Sequence, residues 1–424
     1  MPLKILSVSE LNFHSSWING WNKIQNLNSL DKYMTIFWFL GPFIYLIERD
    51  PADLWLTLIG LIFIIRCIIK KDWGWSSQLW FKFALALWLF GLISAVLGPN
   101  PLFSFQQGFI WIRFPLYAVA AQVWIAKDRD IRIIMLFSIF IGMLIMSAIL
   151  ISESIIDPKT RLTWPYDDLI PGSYLAKFSL PFYCVLLAIT VNKKSFKIII
   201  TGLLSSLFII VCLLTGERGN FLIIACSGFL AILSWKPKKL SVVIIFLLQL
   251  LSVLTIILMK PDLYNRFTVE IYKKIPVINS ISNNENWGAW RGGIQQGLET
   301  PIKGIGPSGT RKNCTQLDPD LYKWLPGNNY CGNHPHNYYI QLFAEVGIMG
   351  LFLGILMFLG IIISCFKARK NNPNCPIAST AFIVPLAFFF PIQQVGSFYS
   401  QWGNLFIWFA IGYSISQYQG WKKS

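Results

Sequence analysis

The chain has 424 residues, of which 54% are hydrophobic and 13% charged. Soluble domains carry about 25% charged residues, so a single water-soluble globule is excluded. The formal charge of +16 sits in short clusters between apolar blocks, with no basic run interleaved with aromatics, and this excludes nucleic-acid binding.

Apolar segments lie, in chain order, near 33–47, 53–69, 80–98, 108–126, 131–152, 174–191, 196–214, 220–235, 240–259, 339–366, 376–394 and 402–418. The longest are continuous and sufficient to cross a hydrocarbon core of about 30 Å. A β-barrel would instead show alternating segments of about ten residues. The expected fold class is an all-α integral membrane protein with about twelve transmembrane helices. Eighteen Trp and fifteen Tyr suit interfacial belts. Residues 1–32 show no small-residue cleavage site after a short apolar core, so a retained anchor is expected rather than a removed signal peptide.

Loop charge sets the orientation. Every second connection is basic, with Lys70 and Lys71, then Lys127, Arg129 and Arg132, then Lys193, Lys194 and Lys197. The series continues with Lys236, Lys238 and Lys239, with Lys367, Arg369 and Lys370, and with Lys422 and Lys423. The short loops between are neutral or acidic, as at Glu48, Asp50, Asp157, Asp167 and Asp168. The positive-inside rule then places both termini in the cytoplasm.

One connection, 260–338, is far longer than the rest, and the alternation puts it outside the cytoplasm. Long loops cross regardless of their charge, and a connection of this length is usually functional. The chain divides accordingly into helices one to nine over 1–259, a periplasmic loop region over 260–338, and helices ten to twelve over 339–424. Within the loop the sequence predicts a helix from about Asn284 to Glu299, stopped by Pro301, Gly304 and Gly306. Cys314 and Cys331 both fall in this loop, whereas the other six cysteines lie in spans or by the inner face. In an oxidising compartment the two form a disulfide; otherwise they are free thiols.

The sequence holds no phosphate-binding loop, no dinucleotide fingerprint and no His-Glu-x-x-His. Its histidines are His14, His334 and His336, too few and too poorly spaced for a zinc set, and no acidic cluster would cage a divalent cation. The expectation is chemistry without metal or cofactor. His336 follows Pro335 and precedes Asn337 and an unbroken apolar helix. A histidine held in an opening turn titrates near ambient pH and can take a proton from a hydroxyl. Position alone equally allows a histidine that only caps the helix. Arg218, in the turn between spans seven and eight, and Arg291, on the predicted loop helix, fall on the same membrane face as His336 by charge alternation. Guanidinium forks match phosphate oxygens bidentately. The other reading for each is a lipid headgroup or a local acid, such as Glu217 for Arg218. Arg113 and Lys177 lie about a turn inside the outer boundary, where they either support a lipid-linked phosphate or snorkel. Arg66 and Lys82, near inner ends, are expected to snorkel. Glu345, in span ten, is read as a helix-packing or site-supporting acid, paired with a buried base.

His336-Asn337, nine residues, then Gly347-Ile348-Met349-Gly350 resembles the H-[NSQ]-x9-G-x-x-G signature of the O-antigen ligase family. Arg218-Gly219 resembles that family's outer-face arginine. Trp290-Arg291 with Pro301-Ile302-Lys303-Gly304-Ile305-Gly306 resembles the stretch before its histidine. The resemblance covers roughly 200–366 by motif. It implies a GT-C-like glycosyltransferase of the bacterial inner membrane with its active site facing the periplasm. The donor would be a glycan on undecaprenyl diphosphate, and the acceptor either a lipid A-core sugar hydroxyl or a lipid-linked glycan. It also implies His336 as base, Arg218 and Arg291 as diphosphate ligands, no metal, and inversion at the anomeric carbon; His334 and Asn337, beside His336, are candidate supporting residues.

Two further readings compete. O-antigen polymerases share the motif and join lipid-linked repeat units, and one sequence does not reveal the acceptor. A secondary transporter also has about twelve spans, but such proteins comprise two similar halves, and no internal repeat is visible here.

Overall fold

The computed structural model describes residues 13–126, 128–190, 197–235, 238–271, 285–313, 334–373, 375–391 and 396–417. Cys314 and Cys331, and with them the question of a disulfide, lie outside the described residues. Among the described residues all regular structure is helical. The first half comprises α1 (Phe13–Gln25), α2 (Ser29–Ile44), α3 (Arg49–Lys70), α4 (Leu79–Leu97), α5 (Pro101–Trp111), α6 (Arg113–Trp124) and α7 (Arg129–Ile156). A short α8 (Pro171–Ser173) opens into a π-helical turn, Tyr174–Phe178, before α9 (Leu180–Thr190). Then come α10 (Lys197–Leu214), α11 (Arg218–Ser234), α12 (Lys239–Met259) and α13 (Pro261–Tyr264), the last continuing into a second π-helical turn, Asn265–Val269. The remainder is α14 (Glu285–Glu299), α15 (Thr310–Asn313), α16 (Tyr338–Asn371), α17 (Pro376–Thr380), α18 (Ile383–Phe388) and α19 (Gln401–Ile415).

This is a multi-pass helical membrane protein. Five of the described helices, α3, α4, α7, α12 and α16, are long and apolar enough to cross a bilayer. The pair from Pro171 to Thr190, bent by 53°, makes a sixth if taken as one span, and Ile198–Leu214, Arg218–Ser234 and Pro376–Phe388 are shorter apolar helices. Several of the twelve apolar blocks are therefore broken. The block 108–126 divides between α5 and α6 at Ile112, and 376–394 contains Pro385, which removes a helix hydrogen bond.

Many of the aromatic side chains pack within the bundle. Trp38, Trp55, Trp80, Trp111, Trp124, Trp235 and Trp408 are buried inside the bundle, whereas Trp17, Trp21 and Trp73 stay exposed. Trp38 and Tyr117 (4.6 Å between centroids), Tyr45 and Phe178 (4.6 Å) and Phe178 and Phe409 (4.0 Å) knit α2, α6, the first π-helical turn and α19 together. Arg66 does not snorkel: it is 6% exposed and pairs with Asp31 at 2.9 Å and Asp72 at 3.0 Å. Lys70 (3.0 Å) and Trp124 Nε1 (2.9 Å) also reach Asp31, so one end of the bundle is closed by a buried charge cluster. Lys82 is exposed. At the opposite end Arg49 donates to Gln401 at 3.0 Å, tying the start of α3 to the start of α19.

Candidate functional site

The segment after His336 is not one continuous helix. Gly347 has φ 73° and ψ −168°, and the chain reverses there. A Cβ on Gly354 would lie 2.4 Å from Leu342, and one on Gly350 would lie 2.3 Å from the Val346 Cβ and 3.0 Å from the Leu342 carbonyl. In a straight helix Leu342 and Gly354 would be about 18 Å apart. The Tyr338 and Tyr339 rings lie against Phe358 (6.4 Å, tilted, and 5.7 Å, edge-on), so the piece 338–346 folds back along the helix that follows. His336 consequently lies level with about residue 358. It is set back from the reversal by about 15 Å, and not at the mouth of an unbroken span.

The glycines of both motifs serve this reversal. The Gly304 and Gly306 amides flank a docked strand of backbone: Ile305 N–H donates to Ala344 O (3.0 Å) and Gly306 N–H to Glu345 O (2.9 Å). Ile348 N–H, freed by the break, donates to Pro301 O at 2.8 Å. Gly304 (φ 67°) and Gly347 have no room for a side chain, because a Cβ would meet Glu345 O at 2.4 Å and Ile302 O at 2.5 Å. Glu345 locks the joint. Its carboxyl accepts from Ser308 N–H (2.8 Å), Thr310 Oγ1 (2.6 Å) and Gln341 Nε2 (3.1 Å to each oxygen). These partners are neutral, which replaces the buried base expected from the sequence.

Asn337 caps the folded-back piece. Its Oδ1 accepts from Tyr339 N–H (2.9 Å) and Ile340 N–H (3.2 Å), and its Nδ2 donates to Pro391 O (2.7 Å). Gln341, one turn on, donates to Ser397 Oγ (2.8 Å) and accepts from Phe398 N–H (2.7 Å). With both neighbours fixed, His336 is held at φ 54°, a left-handed conformation costing about 1–3 kcal/mol for a non-glycine residue. The His334 and His336 rings lie 4.1 Å apart.

Helix α14 brings Arg291 to this point. Its small face, Gly293 and Gly297, seats the partner: a Cβ on Gly293 would reach Pro335 (2.6 Å) and Ile340 (2.7 Å), and one on Gly297 would reach Phe343 at 2.3 Å. The two helices run parallel, so Arg291, two residues before Gly293, lies level with residues 335–336. Arg291 is 9% exposed and shares its helix face with Gln295, which is fully buried. The sequence-predicted helix is thus present, and its packing sets Arg291 at about the level of His336.

Arg218 sits in a different corner. Its Nε and one Nη donate to Arg266 O (3.0 and 2.6 Å), and the guanidinium pairs with Glu270 rather than with Glu217. Arg266 Nε donates to Gly216 O at 2.5 Å, and the 215–217 turn packs against Thr160 and Arg161. Glu217 accepts from Gly172 N–H (3.3 Å) and from Asn220. Burial pushes its carboxyl up to about 7, against the opposing pull of Lys177 and Arg161. Burial, with Arg218 and Arg161 nearby, pulls the Arg266 guanidinium down. Four basic side chains, Arg161, Lys177, Arg218 and Arg266, therefore gather around two acids. Among the described residues no hydrogen bond or ion pair links Arg218 to His336. Lys177 joins the Arg218 corner, whereas Arg113 is committed elsewhere, to Asp53 and Thr57 at 2.8 Å.

Sequence reasoning missed Arg161, Arg266 and Gln341. Arg161 lies in a loop and Arg266 in a single π-helical turn, neither with a periodic signal, but Gln341 is four residues before Glu345 and so shares its helix face. Among the described residues no three His, Cys, Asp or Glu side chains converge on a possible metal position.

Residues 203–355 match the model of the O-antigen ligase family. The O-antigen ligase region runs from α10 to the helix beyond the Gly347 reversal. It contains Arg218, Arg291, His336 and Glu345 together with both glycine joints. The stretch on which the motifs resemble that family is thus also similar to the family model, over about a third of the chain. No curated protein matches the chain.

Proposed function

We propose that the protein is a GT-C-like, metal-independent and inverting glycosyltransferase. It moves a glycan from undecaprenyl diphosphate to a sugar hydroxyl of the lipid A core. In this reading it lies in the bacterial inner membrane with both termini cytoplasmic and works on the periplasmic side. The observation that carries the reading is the seating of Gly293 against Pro335, which sets Arg291 level with His336 inside the O-antigen ligase region.

His336 takes the proton from the acceptor hydroxyl as that oxygen attacks the anomeric carbon, and the bond from that carbon to the diphosphate oxygen breaks. General-base assistance of this kind contributes about 10²–10⁴-fold. Charge grows on the departing diphosphate, where Arg291 and the corner of Arg218, Arg266, Arg161 and Lys177 neutralise it. A fixed donor in such a site is worth roughly 2.7–4 kcal/mol of barrier. Glu270, now on Arg218, would be displaced as the diphosphate enters. The fold-back sets His336, half-buried, alongside α16, and partial exclusion of water strengthens these charges.

The alternative within the family is a polymerase, whose acceptor is another lipid-linked glycan. Purified protein given a lipid-diphosphate glycan with each acceptor separately decides between them. Label on lipid A core is expected; extension of the lipid-linked chain alone selects the polymerase, and no transfer to either acceptor removes the proposal. The same turnover in excess chelator is expected.

A further inference from the structure

A second crevice, of about 630 Å³, lies away from His336, between α3 and the break that separates α5 from α6. On α3 its lining runs Asp50, Asp53, Thr57, Gly60 and Ile64, a spacing that keeps all five on one helix face. Fourteen residues of rise make the groove about 21 Å long, more than the depth of one leaflet in a core of about 30 Å. The opposite wall is formed by Ile112, Arg113 and Leu116. Charge is confined to one end, and below Thr57 the groove is apolar.

The polar end is unevenly satisfied. Both Nη atoms of Arg113 are taken by Asp53 and Thr57, but its Nε is buried without a partner among the described residues. Asp50, on the rim, is exposed and has no hydrogen-bond partner among those residues. Two carboxylates around one guanidinium leave a net negative rim, which repels an anionic headgroup. A headgroup with a primary ammonium and a phosphate suits it: the ammonium meets Asp50, and the Arg113 guanidinium balances the phosphate charge across the rim. The floor is kept open by Gly60, where a Cβ would meet only the Arg113 carbonyl oxygen, at 4.0 Å. The groove therefore has the length, polarity and free floor that one acyl chain under a zwitterionic headgroup requires.

We propose that this crevice binds a phospholipid carrying a phosphoethanolamine headgroup, with an acyl chain lying along Gly60 and Ile64. It is a lipid site separate from His336 and holds whether or not the chain transfers glycans. Arg113 is then a structural ligand for a bilayer lipid and not a ligand for the sugar donor.

Native mass spectrometry of the full chain in detergent, titrated with phosphatidylethanolamine or phosphatidylglycerol of matched acyl chains, tests the site. One phosphatidylethanolamine is expected to be retained, with an affinity about fivefold above that for phosphatidylglycerol. Gly60→Leu, which fills the floor, should abolish that retention. Asp50→Asn, a rim change that leaves the Arg113–Asp53 pair intact, should erase the preference while thermal stability stays unchanged; it decides the matter if Gly60→Leu does not fold. Equal retention of the two lipids by the wild-type chain overturns the proposal, as does an undiminished preference in Asp50→Asn or, if it folds, Gly60→Leu.

Discussion

His336 shows how far one residue can be read from sequence. Its type and its motif were legible, but its left-handed backbone was not, because that depends on Asn337 bonding to Pro391 and on Pro335 seating against Gly293. The backbone and the imidazole can be separated experimentally. His336→Gly relieves the conformation and removes the ring, so the variant should fold with stability equal to or above wild type yet lose transfer by about 10²-fold or more. Wild-type turnover in that variant would reduce His336 to a hinge. Glu217 offers a test through pH. Its carboxyl is neutral below about 7 and ionised above, and ionisation adds negative charge beside Arg161, Lys177, Arg218 and Arg266. Donor binding should weaken as pH rises through about 7, and Glu217→Gln should flatten that step in a binding titration. Folding carries the same sign: an acid raised from 4.5 to about 7 contributes fully below 4.5 and loses that contribution as pH rises through about 7.

Among elements, the pair formed by the 301–306 loop and the Gly347 reversal decides the site. The sequence predicts a helix ending at Pro301 and another beginning after His336, and both are present. It does not predict that the second doubles back, since 339–366 is apolar throughout and periodicity carries no mark of a reversal. The mark was a pair of glycines, and glycine alone leaves open whether flexibility, packing or a turn is needed. Gly347→Ala places a Cβ 2.5 Å from the Ile302 carbonyl oxygen at a positive φ. It should lower stability by about 1–3 kcal/mol, seen as a reduced melting temperature, with activity falling even where the protein is folded. Glu345→Ala leaves the Ser308, Thr310 and Gln341 donors without their acceptor and should cost roughly 1–3 kcal/mol per donor left unpaired. Glu345→Gln should recover part of that loss.

For the whole molecule, charge alternation predicts that the Arg49–Gln401 end faces the periplasm and the Asp31–Arg66 end the cytoplasm. Single cysteines introduced near each end and labelled from outside intact cells should report this, with Gln401→Cys accessible and Asp72→Cys protected; the reverse pattern would invert the topology. Composition and the lengths of the apolar blocks determined by themselves that this chain enters a membrane as helices, because a bilayer forces each crossing segment to satisfy its own backbone and cover itself with apolar side chains. The motif residues likewise pointed to the family whose model matches 203–355. Only the tertiary structure decided that Arg291 comes level with His336, that Arg218 gathers Arg266 and Arg161, and that Arg113 belongs to a separate groove. Those meetings join residues far apart in the chain, held by glycine-sized gaps and backbone hydrogen bonds, and such close approach is a property of packed surfaces that no local pattern encodes.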